Sequence, residues 1–427
     1  MFSLCTNTIG SLVGYTGFLY NKIVPLLLNN KMDHVLLESL IETYKPSYIW
    51  LPNEEREAFV DFNAVYNCFG YSLIKTGFSH RYEMDKELAL LLTTSGSTGS
   101  PKLVRQSYNN INSNTRSIAE YLELNETERP ITTLPMNYTY GLSIINSHLY
   151  VGASLLLTDK AIVEKEFWSF FKEKQATSFG GVPYTYEMLD RLRFSRMDIP
   201  SLKTMTQAGG KLSVDLHKKF AEYAKSKGKR FVVMYGATEA TARMSYLPYE
   251  KADVKYGSIG IAIPGGKLSI IDSDGNEILE PDVVGELVYE GANVTLGYAE
   301  NGLDLAKGDE RNGRLVTGDM AKRDKDGYFY IVGRKKRFLK VFGNRVNLDE
   351  IERMAREAFP GIDCACSGKD DALYLFVTDI NAKNEAVKFL SAKTGLNPIA
   401  FQVRELEEIP KNEAGKTLYR ALESYID

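Results

Sequence analysis

Cysteine and histidine are scarce in this chain, with four of each among 427 residues. Only Cys364 and Cys366 lie near one another, and no two histidines stand at ligand spacing. These facts argue against a disulfide framework and a structural metal, and for a reducing compartment, the cytoplasm. A dominant charge is missing as well: 52 basic against 55 acidic residues leave a formal charge of −3. That is no electrostatic footprint for nucleic acid or an anionic membrane surface. The most apolar stretch, residues 9–28, is broken by Asn21 and Lys22 and carries glycines at 10, 14 and 17. With no basic segment before it and no small-residue cleavage pattern after it, it reads as core, not as a membrane span. Internal repeats and low-complexity tracts are absent too. So is the P-loop pattern, because Pro410 stands where the first glycine before Gly415-Lys416-Thr417 would have to be.

What is present is an ordinary globular composition, 44% apolar and 25% charged, long enough for two or three domains with a large buried core. The first 92 residues alternate strand and helix patterns: strand at 2–5, helix at 8–20 capped by Thr8, strand at 23–28, helix at 33–44, strand at 48–51. Alternation of this kind implies a mostly parallel, doubly wound sheet. The first strand begins almost at Met1, so either the chain is short at this end or a preceding element has been removed. Further on, helices are expected at 107–122, 164–174 and 213–225, and strands at 131–134, 153–157 and 231–234. From about residue 256 to 333, short apolar runs alternate with glycine and acidic turns, the signature of β-hairpins. The expected fold is α/β, with a large N-terminal domain of doubly wound sheets (to about 255) and a small β-rich subdomain (256–333). A small α+β C-terminal domain (334–427) follows, with a helix at 347–359, a strand at 372–377 and a helix at 386–394.

Several loops carry chemistry. Residues 91–104 read LLTTSGSTGSPKLV, where an apolar run enters Thr94, Ser95, Gly96, Ser97, Thr98, Gly99 and then Lys102. Hydroxyls, main-chain N–H groups freed by glycine and an ammonium are all donors, which suits a polyphosphate. Tyr235, Gly236, Ala237, Thr238 and Glu239 follow a strand, the place where open α/β sheets bind ligands. There Gly236 permits close approach, Tyr235 offers a face for a base, and Glu239 can hold Mg²⁺ beside phosphates. Asp319, between β runs, is a possible acceptor for vicinal hydroxyls or a plain turn aspartate.

The order and spacing of these pieces resemble the adenylate-forming superfamily of acyl- and aryl-CoA synthetases, peptide-synthetase adenylation domains and luciferases. The matching segments are TTSGSTGSPK (93–102), AGG (208–210), YGATE (235–239), TGD (317–319), GRKKRFLKVFGNRVNLDEIE (333–352) and PKNEAGK (410–416), in the family's order over nearly the whole chain. The resemblance implies attack of a carboxylate on the α-phosphorus of ATP, release of pyrophosphate, and transfer of the acyl group from the adenylate to a thiol. It assigns Ser95 to Gly99 and Lys102 to the β- and γ-phosphates, and Thr94 to the nucleotide site beside them. Tyr235, Gly236 and Ala237 go to the adenine site with Gly209 and Gly210, Thr238 to the α-phosphate, and Asp319 with Arg334 to the ribose. Glu239 would bind Mg²⁺, and Lys416 would bridge the substrate carboxylate and ATP oxygens as the catalytic cation. Lys336 would be a hinge whose rotation makes the C-terminal domain mobile, withdrawing Lys416 and bringing the Gly343 loop to the thiol.

The sequence departs from the family pattern in two respects. The loop at 137–141 has no histidine, so Tyr138 or Tyr140, beside Gly141, would serve as the aromatic gate to the acid. It also has no aspartate between 134 and 142 to pair an α-ammonium, which favours an uncharged acyl or aryl acid over an amino acid. The short N-terminus removes elements that the family usually has there. The expected activity is an AMP-forming acid–thiol ligase using ATP, Mg²⁺ and coenzyme A on a small carboxylic acid. The alternatives are a stand-alone enzyme loading a carrier-protein phosphopantetheine and a degenerate, non-catalytic nucleotide-binding member.

Overall fold

The computed structural model describes residues 1–93, 102–341, 344–369, 372–379, 383–411 and 417–426. β1 (Phe2–Cys5), α1 (Ile9–Tyr20), β2 (Leu26–Asn29), α2 (His34–Tyr44) and β3 (Tyr48–Pro52) alternate as the pattern implies. β4 (Asn63–Cys68), β5 (Tyr71–Lys75), β6 (Leu88–Thr93) and β7 (Leu103–Ser107) follow. The strands β6, β2, β1 and β3 run parallel, while β7 and the β5–β4 pair close the flanks antiparallel. Parallel strands are covered on both faces, which explains the unbroken burial of Leu26, Leu27 and Leu28. Pro25 lacks an N–H, so the strand expected from Ile23 starts only at Leu26. The Asp33 carboxylate accepts from the Leu36 N–H and caps α2.

A second sheet follows α3 (Tyr108–Tyr121), α4 (Thr139–Tyr150) and α5 (Lys165–Glu173). It is built from β8 (Ser178–Gly181), β9 (Thr204–Gln207) and β10 (Arg230–Tyr235), with α6 (Pro183–Arg191) and α7 (Val214–Ser226) between them. β8, β9 and β10 are parallel, and β11 (Ser245–Tyr246) and β12 (Ile261–Ala262) add antiparallel edges. The strands expected at 131–134 and 153–157 are reduced to isolated bridges, Pro130 with Ser178 and Ile131 with Leu156. Pro130 cannot donate to a ladder, and the Thr132 hydroxyl takes the Thr158 N–H at 2.8 Å in place of a main-chain partner.

The β-rich stretch is present as β13 (Gly266–Ile271), β14 (Gly285–Gly291), β15 (Gly297–Ala299), β16 (Arg314–Arg323) and β17 (Phe329–Arg334). β15 leaves it to pair antiparallel with β7 at the edge of the first sheet. Next come β18 (Phe338–Val341), β19 (Asn344–Asn347) and α8 (Leu348–Ala358). β20 (Cys364–Lys369), β21 (Ala372–Val377), α9 (Lys383–Thr394), β22 (Phe401–Glu405) and α10 (Tyr419–Glu423) complete the α+β end. Contacts gather the chain into two compact units, residues 1–268 with 288–315 and residues 269–287 with 316–427. This partition falls earlier than residue 334, since β16 and β17 pair from Asp319 to Arg334 within the second unit.

The first unit packs an aromatic layer of Phe167, Phe171, Phe179, Tyr186, Phe194, Phe220 and Phe231, all deeply buried. The second unit has an aliphatic core around Ile351, Leu373, Leu375 and Leu390. Beside it, Arg337 pairs with Asp349 and Glu352 and stacks on Tyr419 at 3.7 Å. Among the described residues no helix is long and apolar enough to cross a membrane.

His217 on α7 is a buried titratable group with a defined consequence. Its Nδ1 accepts from the Gly257 N–H at 3.1 Å, and burial lowers its pKa from 6.5 to about 4. The unfolded chain therefore takes up a proton that the folded one refuses, so stability falls as pH drops through this interval. His148 is shifted in the same direction by burial. Urea midpoints should decline as pH falls from 6.5 toward 4. His217→Gln should reduce that slope, and an unchanged slope would contradict the assignment.

Candidate active site

The chain reverses sharply after β10. Residues Thr238–Ala240 form one 3-10 turn, and the Met244 N–H returns to the Tyr235 carbonyl at 2.9 Å. Gly236 permits this, because a Cβ there would overlap the Ala242 carbonyl oxygen. Thr241 sits at φ +62°, a region that a β-branched residue enters only under constraint. The constraint is visible. The Thr241 hydroxyl donates to the Asn293 carbonyl at 2.7 Å, and the Thr241 carbonyl accepts from the Thr139 hydroxyl and from Gln106. The side chain of Asn293 in turn donates to the carbonyls of Ala240 and Arg243, both at 2.9 Å.

Glu239 is held on this turn from two sides. Its carboxylate accepts from the Tyr298 hydroxyl at 2.7 Å, and its main-chain carbonyl accepts from Arg311 and from both the N–H and the hydroxyl of Thr295, each at 3.0 Å. The Arg311 guanidinium also lies 4.6 Å from the centre of the Tyr298 ring, and the Lys102 ammonium 5.9 Å. Burial, then the neighbouring Glu239 carboxylate, pushes the Tyr298 phenol up to about 12, with Arg311 opposing, so it donates steadily to Glu239 near neutrality. Tyr298 reaches this place because β15 pairs it with Val104 on β7, just after Lys102. One carboxylate and two cations thus surround one phenol. Lys102 is exposed and pairs with Glu300 at 2.7 Å.

Gly209 and Gly210 follow β9 as expected. Gly209 has φ +83°, and a Cβ there would come 2.5 Å from the Tyr138 hydroxyl. Tyr138 caps the start of α4, and Gly141, in its first turn, packs against the carbonyls of Leu134 and Pro135. Tyr140 is buried: its hydroxyl meets the Thr206 hydroxyl at 2.8 Å, and the Arg243 guanidinium stacks 3.9 Å from its ring centre. Tyr140 therefore forms a wall inside the unit, and Tyr138 is the more accessible of the two.

In the second unit Asp319 and Arg334 are cross-strand partners, joined by a 2.7 Å ion pair in which the aspartate is buried and the arginine exposed. Lys336 is exposed in the turn Lys335–Arg337. The expected phosphate-loop residues Thr94 to Gly99, together with Gly343 and Lys416, lie outside the described residues. Sequence reasoning missed Tyr298, Arg311, Thr241 and Arg243. The first two lie in a segment without a motif, and a positive φ at threonine leaves no compositional mark. Arg243, a lone cation in the run ATARMSYL, was the one readable signal. Among the described residues no three His, Cys, Asp or Glu side chains cluster as a metal site. A divalent cation held by Glu239 would need phosphate oxygens and water for its remaining positions, as Mg²⁺ commonly does.

The model of the family described as AMP-binding enzyme matches residues 36–299. A long-chain-fatty-acid–CoA ligase of Bacillus subtilis is 25% identical over 429 residues, covering 95% of this chain and 75% of that protein. Its counterpart in Salmonella typhimurium is 29% identical over 374 residues, covering 82% of this chain and 65% of its own length. An indoleacetate–CoA ligase of Aromatoleum aromaticum is 27% identical over 338 residues, with 77% and 65% covered. The chain thus spans about two thirds of the length of two of these relatives. Among solved structures, ATP-bound MatB from Rhodopseudomonas palustris superposes with a TM-score of 0.79 at 23% identity, covering 100% of this chain and 88% of that one. The o-succinylbenzoate CoA synthetase of Bacillus subtilis with its acyl-adenylate intermediate gives 0.78 at 22% identity, covering 99% and 87%. At these identities the structures bear on the fold alone.

Arg311→Met removes the donor to Glu239 and Thr295 and the cation over Tyr298. Charged hydrogen bonds of this kind are worth about 1.5–3 kcal/mol. Urea unfolding should report a loss of that order, and a variant as stable as the parent would show that the turn is held without it.

Proposed function

The chain belongs to the AMP-binding enzyme family, and on that premise we propose that it activates a small carboxylic acid with ATP and passes the acyl group to coenzyme A. The observation that carries this reading is the turn after β10, where Tyr298 holds the Glu239 carboxylate and Arg311 its carbonyl, with Lys102 near the Tyr298 ring. A carboxylate held in place next to cations is what a magnesium–polyphosphate group needs.

In the first step an oxygen of the acid attacks the α-phosphorus of ATP, and pyrophosphate leaves. In the second a thiolate attacks the acyl carbon, and AMP leaves. Ser95 to Gly99 and Lys102 would grip the leaving phosphates by hydroxyl, N–H and ammonium donors. Tyr235 to Ala237, with Gly209 and Gly210, would enclose adenine. Thr238 would donate to the α-phosphate, and Asp319 with Arg334 would hold the ribose. Glu239 would hold Mg²⁺, which supplies charge neutralisation on the phosphates. Lys416 would meet the charge that develops between carboxylate and phosphate, where one preorganised donor is worth roughly 10²–10³ in rate. Rotation at Lys336 would separate the two steps, exchanging Lys416 for the Gly343 loop, with 1–333 and 334–427 as the moving parts.

Coenzyme A is the proposed acceptor because the curated relatives are named CoA ligases. The four cysteines, all free, fit a reducing cytoplasm. Pyrophosphate release scored over a panel of carboxylic acids tests the first step, and supplying coenzyme A or a holo-carrier protein identifies the acceptor. Lys416→Ala should abolish pyrophosphate release yet still transfer acyl from added acyl-adenylate. Equal loss of both half-reactions would remove Lys416 from its proposed role.

A further inference from the structure

Arg243 is a buried cation without a counter-ion among the described residues. It is 3% exposed, its Nε has no hydrogen-bond partner, and no carboxylate among the described residues lies within ion-pair distance of it. Residues 94–101 of the first unit, outside the described set, contain no acid. Its neighbours are phenols: it stacks on Tyr140, and its charge acts on Tyr121, Tyr138 and Tyr140, opposing the rise that burial causes in each. Neutral phenols solvate a guanidinium but cannot cancel it, and an unpaired buried charge is strongly unfavourable.

The position is built, not incidental. The Arg243 N–H donates to the Asn114 side chain at 3.2 Å, and its carbonyl accepts from Asn114 at 3.0 Å and Asn293 at 2.9 Å. The side chain lines a narrow cavity of about 20 Å³ within the first unit, walled by Ile118, Ile144, Phe179 and Met234 with hydroxyls of Ser143 and Thr206. The acid that lines this cavity, Glu128, is already engaged by Thr177 at 2.5 Å and Lys203 at 3.5 Å. Tyr140, against which Arg243 stacks, lies at the start of α4 beside Tyr138 and Gly209. His148, at the far end, is eight residues further on, about 12 Å along the helix.

We infer that the acid activated by this protein carries a second carboxylate a short spacer away from the reacting one, and that Arg243 pairs with it. This rests on the adenylation reading above, and it replaces the uncharged acid that the missing aspartate in 134–142 had favoured. The lost signal lies outside that loop: the charge that selects the substrate is basic and sits on the strand-reversal side of the cavity. The planar fork of a guanidinium matches a carboxylate in bidentate contact.

The test is pyrophosphate release with short aliphatic diacids, their monomethyl esters and monocarboxylic acids of equal length. The parent protein should prefer a diacid over its own monoester by roughly thirtyfold to a thousandfold in kcat/KM, the usual effect of removing one partner of a buried charge pair. Arg243→Gln should collapse that preference, and Arg243→Lys should keep part of it. Monoesters or monoacids used as well as diacids by the parent protein would overturn the inference and leave adenylation standing. So would an Arg243→Gln variant that loses all acids in proportion. No release with any acid would overturn the adenylation reading and this inference with it.

Discussion

A threonine held at positive φ is the constraint on which the rest of the first unit's site depends. Thr241 turns the chain back after β10, and the reversal places Glu239 on one limb and Arg243 on the other. Such a conformation persists only where surroundings over-determine it. Asn293, Asn114, Gln106 and Thr139 do so, each by side-chain hydrogen bonds to the main chain of the reversal. These donors come from β7, α3, α4 and the loop after β14, so the reversal is where both sheets of the first unit are coupled to one short segment.

Electrostatics then differentiates the two limbs. Around Tyr298 the charges are balanced locally: the Glu239 carboxylate accepts from the phenol, Arg311 and Lys102 lie over its ring, and Lys102 pairs with Glu300. Around Arg243 no described carboxylate balances the charge, and the guanidinium lines a small cavity. Balanced charge suits a site that receives a highly charged nucleotide with its own cation. Unbalanced charge suits one whose missing partner arrives with the substrate. The second unit contributes a different arrangement, the Asp319–Arg334 pair, set by strand register alone.

Much of this was legible in the sequence because it depends on local rules. Short apolar runs alternating with helix patterns marked the first parallel strands, and Asp33 and Ser213 marked helix starts that the structure keeps as N-caps. The turn after β10 was readable from its glycine and its place after a strand. The parts that were not legible depend on contacts distant in sequence. Tyr298 is 59 residues from the carboxylate it holds, and Arg243 acquires meaning only from the absence of an acid around it. Pro130 and Thr132 ended an expected strand for reasons of hydrogen bonding that apolar periodicity does not register. The phosphate loop and Lys416 rest on the family resemblance, carried by motif order.

The central claim is that a substrate carboxylate oxygen attacks the α-phosphorus of ATP. Isotope transfer reads that bond directly. With acid labelled by ¹⁸O in its reacting carboxylate, ATP, Mg²⁺ and coenzyme A, a completed turnover should leave AMP carrying one labelled oxygen and pyrophosphate carrying none. Unlabelled AMP, or label recovered in inorganic phosphate alongside ADP, would contradict it.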